Sequence, residues 1–230
     1  MKLQARDIHN HLLPGVDDGF RKAEDSLRAI EKMAADGCHE IIFSPHMNPD
    51  VYPDESEAHF KEVYDSFAPR IPEEWGVKTS LAAEYMVVNG FEERAANPES
   101  LLTWPDGSIL IEMSYFFRSR NFESAIFELG LAGLKPIVAH PERYLYMSDS
   151  LKDFEKWKDM GCRFQLNFVS LTGKYGKESV RIMKHLFDED MYDFVSTDLH
   201  TVSQLEGILD ADPVRKLRKR FNKFLEKHQY

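Results

Sequence analysis

The sequence predicts an α/β fold: a parallel barrel of about seven strand–helix units, forming one domain over residues 1–230. Three observations carry that reading. Short apolar, β-prone runs recur at residues 3–8, 40–43, 79–83, 109–111, 136–139, 163–168 and 194–196. Helical periodicity fills most of the gaps between them, the alternation expected of βαβ units. The 230 residues then divide into units of about 33, an ordinary βαβ length, which leaves the barrel one unit short of the usual eight.

In chain order, the first strand ends in Asp7-Ile8-His9-Asn10-His11 and runs into a turn marked by Pro14, Gly15 and Gly19. Leu27, Ile30, Met33 and Ala34 share one face of the first helix, which stops at Gly37. The second strand, EIIFSPHM, ends at His46; the third, KTSLAAEYM, at Glu84; the fourth, SILIEMSYF, at Glu112; the fifth, KPIVAHPER, at His140. Leu151, Phe154, Trp157 and Met160 line the next clear helix, behind a Ser150–Asp153 capping box and ahead of Gly161. The sixth strand, RFQLNFVSL, offers only Asn167 at its end. Val180, Met183, Leu186 and Phe187 mark the helix after it, and the seventh strand, FVSTDLH, ends in Asp198 and His200. The basic segment VRKLRKRFNKFLEKHQY carries Leu217, Phe221, Phe224 and Leu225 as one stripe. It reads as an amphipathic outer helix with a solvated face.

Hydrophobic residues make up 43% of the chain, enough for a sizeable core, and charged residues 30%. A net charge of -10 argues against nucleic acid as the main partner, because phosphate backbones are bound by Lys and Arg. No run approaches the roughly 18 apolar residues of a membrane span, so membrane insertion is not expected. The N-terminal MKLQARDIHNH lacks the apolar run of a secretory signal. The two cysteines, Cys38 and Cys162, each follow a glycine and read as small hydrophobes entering strands, which suits a reducing cytoplasm.

In a parallel barrel the C-terminal strand ends meet on one face, where active sites are built. His-x-His and Asp-x-His put both groups on one side of an extended strand. The set that would gather is His9, His11, Asp18, His46, Glu84, Glu112, His140, Asp198 and His200. Four carboxylates among five imidazoles call for several divalent cations. His39, His59, His185 and His228 lie before a strand, within helical patterns or in the tail, and read as structural or solvated. Gly15 and Gly19 allow a sharp turn that brings an aspartate back towards His9 and His11. Spacing does not separate Asp17 from Asp18: one is a ligand, the other a turn cap or a support for a ligand. Asp7 is expected to orient an imidazole.

Taken in order, DIHNHLLPGVDDG, SPHM, AEY, IEMS, AHPERY and STDLH resemble the motifs of the PHP superfamily (polymerase and histidinol phosphatase). More narrowly, the chain is similar to that superfamily's bacterial manganese-dependent protein-tyrosine phosphatases of capsular and exopolysaccharide gene clusters. The resemblance covers residues 7–200. It implies a distorted (β/α)7 TIM-like barrel, the PHP fold, with three divalent metal ions: manganese first, with iron, zinc or cobalt also acceptable to such ligands. By motif, His9, His11, Glu84 and Asp198 would hold one metal. Glu84 would bridge to a second, also held by Glu112 and His140. Asp18, His46 and His200 would hold the third, and Arg143 of HPERY would be the catalytic, phosphate-binding arginine. The implied partner is a phosphotyrosine protein, a tyrosine autokinase controlling polysaccharide assembly. The loop SYFFRSRNFESAIFEL departs from the family pattern, being aromatic and arginine-rich rather than proline-marked. Arg118 and Arg120 are therefore candidate substrate contacts, beside an ordinary exposed-loop role.

The expected reaction is hydrolysis of phosphotyrosine by metal-activated hydroxide attack, the cations also offsetting charge on the phosphoryl oxygens. Arg143 would add a planar two-donor contact. A tyrosine leaving group, with a pKa of about 10, does not oblige the site to contain a dedicated general acid. A cysteine-dependent phosphatase is excluded, because Ser44 and Phe168 stand where a C-x5-R loop starting at Cys38 or Cys162 needs arginine. The same ligands would also suit a histidinol-phosphate-like phosphatase, or a phosphodiesterase or exonuclease, and the acidic balance disfavours the nuclease. A non-catalytic module would have lost ligands. An amidohydrolase wants lysine at the fourth strand end, where Glu112 stands. The oligomeric state stays open, a homo-oligomer included.

Overall fold

In the computed structural model, which describes residues 1–228, the seven expected strand positions hold nine parallel segments. These are β1 (Arg6–Asp7), β2 (Glu40–Phe43), β3 (His46–Met47), β4 (Lys78–Leu81), β5 (Glu84–Met86), β6 (Ser108–Glu112), β7 (Lys135–Ala139), β8 (Arg163–Asn167) and β9 (Phe194–Ser196). The second and third expected strands are each broken in two, at Ser44-Pro45 and at Ala82-Ala83. Chain pairing continues across both breaks, through Ala82 N to Phe43 O and Glu84 N to Pro45 O. The ladders therefore form a three-stranded sheet, β1-β2-β4, and a six-stranded sheet, β3-β5-β6-β7-β8-β9. The two join around the other side through a parallel bridge between Asn10 and Leu199, with Asp198 N donating to His9 O. The result is the distorted barrel that the sequence implied.

Helices α1 (Ala23–Ala35), α2 (Glu57–Phe67), α3 (Phe91–Ala95), α4 (Phe122–Leu131), α5 (Lys152–Asp159), α6 (Gly176–Asp188), α7 (Val202–Asp210) and α8 (Arg215–Lys227) complete the structure. The expected apolar stripes face inward: Ile30 and Met33 of α1, Phe154 and Trp157 of α5, Met183 and Leu186 of α6, and Leu217, Phe221 and Phe224 of α8 are buried. The end of the basic segment, residues 229–230, lies outside the described residues. The Ser150–Asp153 capping box does not form. Leu151 is already helical, and Ser150 contributes only its carbonyl, to Asp153 N, so α5 is entered through a tight turn rather than a side-chain cap. No helix among the described residues is long and apolar enough to cross a membrane.

The period-two alternation of the strands sorts the apolar side chains into two clusters. Ile8, Ile42, Ala82, Leu110, Ile137, Ala139 and Phe194 point into the barrel, where Trp104 closes the floor by meeting Phe194 edge-on at 5.6 Å. Their neighbours Ile41, Phe43, Ile109, Ile111, Val138, Phe164 and Leu166 belong to the second cluster, shared with the helices. Continuing each inward row by two or four residues gives the mouth: Ala82 leads to Glu84, Leu110 to Glu112, Phe194 to Asp198. An apolar floor thus becomes a polar mouth within one turn of the pleat.

The loop after β1 returns on itself through Phe20 N to His11 O and Gly15 N to Phe20 O, with Gly15 in the left-handed region at φ +81°. Gly19 sits so close beneath His11 that an added Cβ would lie 2.3 Å from the His11 carbonyl oxygen and 2.4 Å from its Cβ. Gly19→Ala is expected to lower stability by about 1–3 kcal/mol, the usual cost of overpacking, and to weaken divalent-cation binding as the loop moves. Denaturant unfolding and metal titration of the variant measure both. Wild-type values for each would show that this approach is not required.

Candidate metal centre

The eight ligand-type residues expected at the strand ends and Asp18 of the turn after the first strand meet in one mouth. His9, His11, Glu84, Glu112, His140 and Asp198 are buried there, while His46 is partly exposed and Asp18 and His200 form the outer edge. Their ligating atoms fall into four overlapping groups, each within 4.8 Å: His11/Asp18/His46/His200, His9/His11/Glu84, His9/His140/Asp198 and His46/Glu84/Glu112. The first two match the motif resemblance closely. The grouping differs at His46 and His140. His46 faces Asp18 through Nε2 at 3.5 Å but also Glu84 and Glu112 through Nδ1, both at 3.2 Å. His140 lies nearer Glu84, at 3.2 Å, than Glu112, at 4.0 Å.

The orientation of the imidazoles decides what they can bind. Nδ1 of His9 pairs with Gln165 Oε1 at 2.9 Å, Nδ1 of His11 with Asp17 Oδ2 at 2.7 Å, and Nδ1 of His200 with the Asp198 carbonyl at 2.9 Å. In each ring the acceptor holds a proton on Nδ1, so the neutral ring directs its Nε2 lone pair into the mouth, as in carboxylate–histidine–metal arrangements. His9 Nε2, His11 Nε2, His46 Nδ1 and both oxygens of Glu84 and Glu112 are buried without a hydrogen-bond partner. Orphaned buried donors and acceptors are costly, and a nitrogen–oxygen set of this composition fits divalent cations.

Asp17 and Asp18, inseparable by spacing, have distinct positions. The side chain of Asp17 is covered and accepts from His11 Nδ1, Gly19 N and His46 N, fixing two imidazole-bearing segments. Asp18 projects into the mouth, 3.5 Å from both His46 and His200. Asp7 does not orient an imidazole. Its oxygens accept from His9 N and from the hydroxyl and amide of Thr197, so it ties the backbone of β1 to the end of β9. Gln165 was missed because a glutamine within an apolar strand carries no ligand signal. Its place on the inward row of β8 is what brings it under His9.

Arg143 stands at the rim, largely covered. It donates from Nη1 to Asp198 Oδ2 at 2.7 Å, and its guanidinium carbon lies 4.1 Å from the Tyr115 ring and 4.7 Å from that of Tyr175. Asp198 is thereby divided, Oδ1 facing His9 and His11 and Oδ2 held by Arg143 and by Asn167 Nδ2. The turn bearing His140 and Arg143 rests on Glu142, a buried carboxylate that accepts from Asn167 N, Ser170 Oγ and Tyr192 Oη. Burial pushes the Glu142 pKa up despite these bonds. His140 and Asp198 hold left-handed φ values of 31° and 48°, strain that non-glycine residues accept where surroundings over-determine them. Tyr115, also unforeseen, reaches 3.3 Å from His140 Nε2.

A cavity of about 910 Å³ opens beside Asp18, His46 and Glu112, walled by Tyr52, Tyr115, Phe116 and Phe117 and by the loop carrying Arg118 and Arg120. Arg118 is engaged elsewhere: it donates to Asp153 at 2.7 Å and to Glu123 at 2.5 Å. Arg120 is exposed on the same wall. His39, His59, His185 and His228 lie outside every ligand group, as expected.

Electrostatics favour a charged network. Burial raises the Glu84 pKa, but His9 and His46 outweigh it and hold the carboxyl well below its usual range. Burial and His11 pull His46 down, yet the charges of Glu112 and Glu84 carry its pKa up to about 9. Below that pH, an incoming cation must displace a proton from His46. Apparent affinity for a divalent cation is therefore expected to rise with pH from about 6.5 to about 8.5, with proton release, as read by calorimetry in buffers of different ionisation enthalpy. A pH-independent affinity would contradict this arrangement.

Comparison with known proteins gives the same direction. A family model described as "Capsular polysaccharide synthesis, CpsB/CapC" matches residues 5–227. Tyrosine-protein phosphatase YwqE of Bacillus subtilis is 30% identical over 197 residues, 85% of this chain and 77% of that protein. Tyrosine-protein phosphatase CpsB of Streptococcus pneumoniae is 24% identical over 208 residues, covering 85% and 83%. Among solved structures, one from work on YwqE and CpsB, described there as unique metal-dependent tyrosine phosphatases, superposes with a TM-score of 0.76 at 26% identity, covering 98% of this chain and 95% of the other. The chain belongs to the CpsB/CapC family of capsular polysaccharide synthesis.

Proposed function

We propose that the protein is a metal-dependent phosphatase that hydrolyses phosphotyrosine in a partner protein, a tyrosine autokinase of capsular or exopolysaccharide synthesis. The observation that carries this reading is a single mouth holding nine nitrogen and oxygen donors, with the Arg143 guanidinium at its edge and an aromatic-walled cavity beside it. Family membership and the phosphatase relatives support it.

The ligands are His9, His11, Asp18, His46, Glu84, Glu112, His140, Asp198 and His200, and the overlap of their groups supports three cations, manganese foremost. When bound, such cations supply a nucleophile from water near neutral pH and offset the charge of phosphoryl oxygens. The remaining chemistry belongs to the chain. Asp17, Gln165 and the Asp198 carbonyl fix the tautomers of His11, His9 and His200, so the donor atoms need no reorganisation. Arg143 uses one donor on Asp198 and has the rest of its fork for a phosphoryl oxygen, at a place set by Tyr115, Tyr175 and Asp198. Tyr52, Phe116 and Phe117 offer aromatic surface to the ring of the substrate. Phenolate, with a pKa of about 10, departs without obligatory protonation. Arg120, which has no ion pair among the described residues, is the arginine of the substrate loop left for an anion, whereas the ion pairs of Arg118 give it a role in holding that loop to α4 and α5. The free, buried cysteines Cys38 and Cys162 fit a reducing cytoplasm.

Arg143→Ala is expected to keep its metals and lose roughly a hundredfold in kcat/KM for a phosphotyrosine peptide, the scale of removing one preorganised donor. Arg143→Lys restores part of the loss, since a point charge replaces the fork. The assay sets the peptide beside histidinol phosphate and single-stranded DNA with manganese present. Wild-type rates in the metal-loaded alanine variant would remove Arg143 from the reaction, and faster turnover of either other substrate would replace the tyrosine-phosphatase reading.

A further inference from the structure

The chain is acidic overall, yet its cations are concentrated on one wall. Helices α6 and α8 together carry ten of the 29 Lys and Arg residues against three of the 39 Asp and Glu. The two helices pack side by side. On α6, Lys177, Arg181 and Lys184 follow helical spacing and form one stripe. Arg181 is paired with Asp149 and Glu178, and Arg220 of α8 with Asp188. Lys177, Lys184 and Lys216 are exposed, and none has an ion pair among the described residues. With Val180, Arg181 and Arg220 they line a shallow depression of about 500 Å³ whose wall contains no carboxylate. Like charges held together repel one another and favour an anionic partner.

The position of the stripe says which partner. Helix α6 starts at Gly176, directly after Tyr175, whose ring lies 4.7 Å from the Arg143 guanidinium carbon. The basic wall therefore begins at the rim of the metal mouth and descends about 10 Å from Lys177 to Lys184 at 1.5 Å per residue. An extended polypeptide with one residue in the mouth covers that distance with about three more residues. Lysine ammonium groups act as mobile point charges and do not demand a planar, bidentate partner. Membrane contact would favour apolar anchors among the cations, but α8 turns Leu217, Phe221 and Phe224 inward.

We propose that the α6–α8 wall docks an anionic segment of the substrate polypeptide, its acidic or additionally phosphorylated side chains lying within a few residues of the phosphotyrosine held at Arg143. This surface rests on the protein-phosphotyrosine reading and adds to it a preference for acidic surroundings.

The test compares wild type with a Lys177→Glu, Lys184→Glu, Lys216→Glu variant, and with the milder glutamine version should the first fold poorly. Two phosphotyrosine peptides of equal length are used, one with glutamate flanks and one with neutral flanks. Wild type is expected to show a lower KM for the acidic peptide at low salt, with similar kcat. The variant is expected to reduce the acidic-to-neutral ratio of kcat/KM roughly tenfold, the scale of electrostatic steering. An unchanged ratio overturns the proposal, as does an unchanged ratio with lost binding to anionic phospholipid vesicles, which would give the wall to a membrane. If wild type cleaves neither peptide, the phosphatase reading fails separately. Docking is then read by fluorescence anisotropy of the acidic peptide carrying Phe in place of phosphotyrosine: binding lost in the variant supports it, and equal or absent binding overturns it.

Discussion

Acids cannot be gathered in a poorly hydrated mouth without cations to balance them, and that constraint shapes the upper half of this barrel. Glu84 and Glu112 are fully enclosed, Asp198 nearly so, and Asp17 lies directly behind them. Isolated ionised carboxylates in such surroundings would cost far more than the stability of a domain. Imidazoles and Arg143 offset part of that charge, and the unpartnered donor atoms mark where more positive charge belongs. Everything around the mouth serves this balance. Asp17 and Gln165 aim the rings, Asp7 ties β1 to β9, Glu142 seats the turn of His140 and Arg143, and Gly19 lets the loop close beneath His11.

Much of this was legible in the sequence because it follows short-range rules. Strand rows alternate with period two, so Ala82 to Glu84 and Leu110 to Glu112 could be read as one face running from floor to mouth. Apolar stripes at helical spacing located α1, α5, α6 and α8. What escaped depends on the path of the chain in space. Asp17 and Asp18 are adjacent in sequence, and it is the folded positions of His11, Gly19 and His46, all donating to Asp17, that turn it inward. Gln165 looks like an interruption of an apolar strand until the barrel closes and places His9 above it. Arg118 looks free in a loop, but Asp153, far along the chain, captures it. The second strand breaks at Ser44-Pro45, where proline has no amide to donate to the ladder, whereas no local pattern announces the break of the third at Ala82-Ala83. Ser150 fails as a cap because its carbonyl, not its hydroxyl, takes the amide of Asp153.

Charge is thus arranged on two scales. Inside the mouth, opposite charges alternate within a few ångströms and fix the geometry of a small set of donors. Outside, α6 and α8 gather cations that hardly interact with that set but lie next to its rim. The first arrangement suits binding a phosphoryl group, and the second suits receiving the chain that carries it. An acidic protein with one basic wall leading to its mouth has a built-in direction of approach.

The central claim is that the shared mouth holds divalent cations, and anomalous X-ray diffraction from protein purified without added metal tests it most directly. Data collected across the manganese, iron, cobalt and zinc absorption edges should place peaks within coordination distance of Nε2 of His9 and His11, the Glu84 and Glu112 carboxylates and Asp18, three in number. Crystals of phosphatase-active protein showing no anomalous peak in the mouth, with His9, His11 and Glu84 satisfied by hydrogen bonds alone, would contradict it.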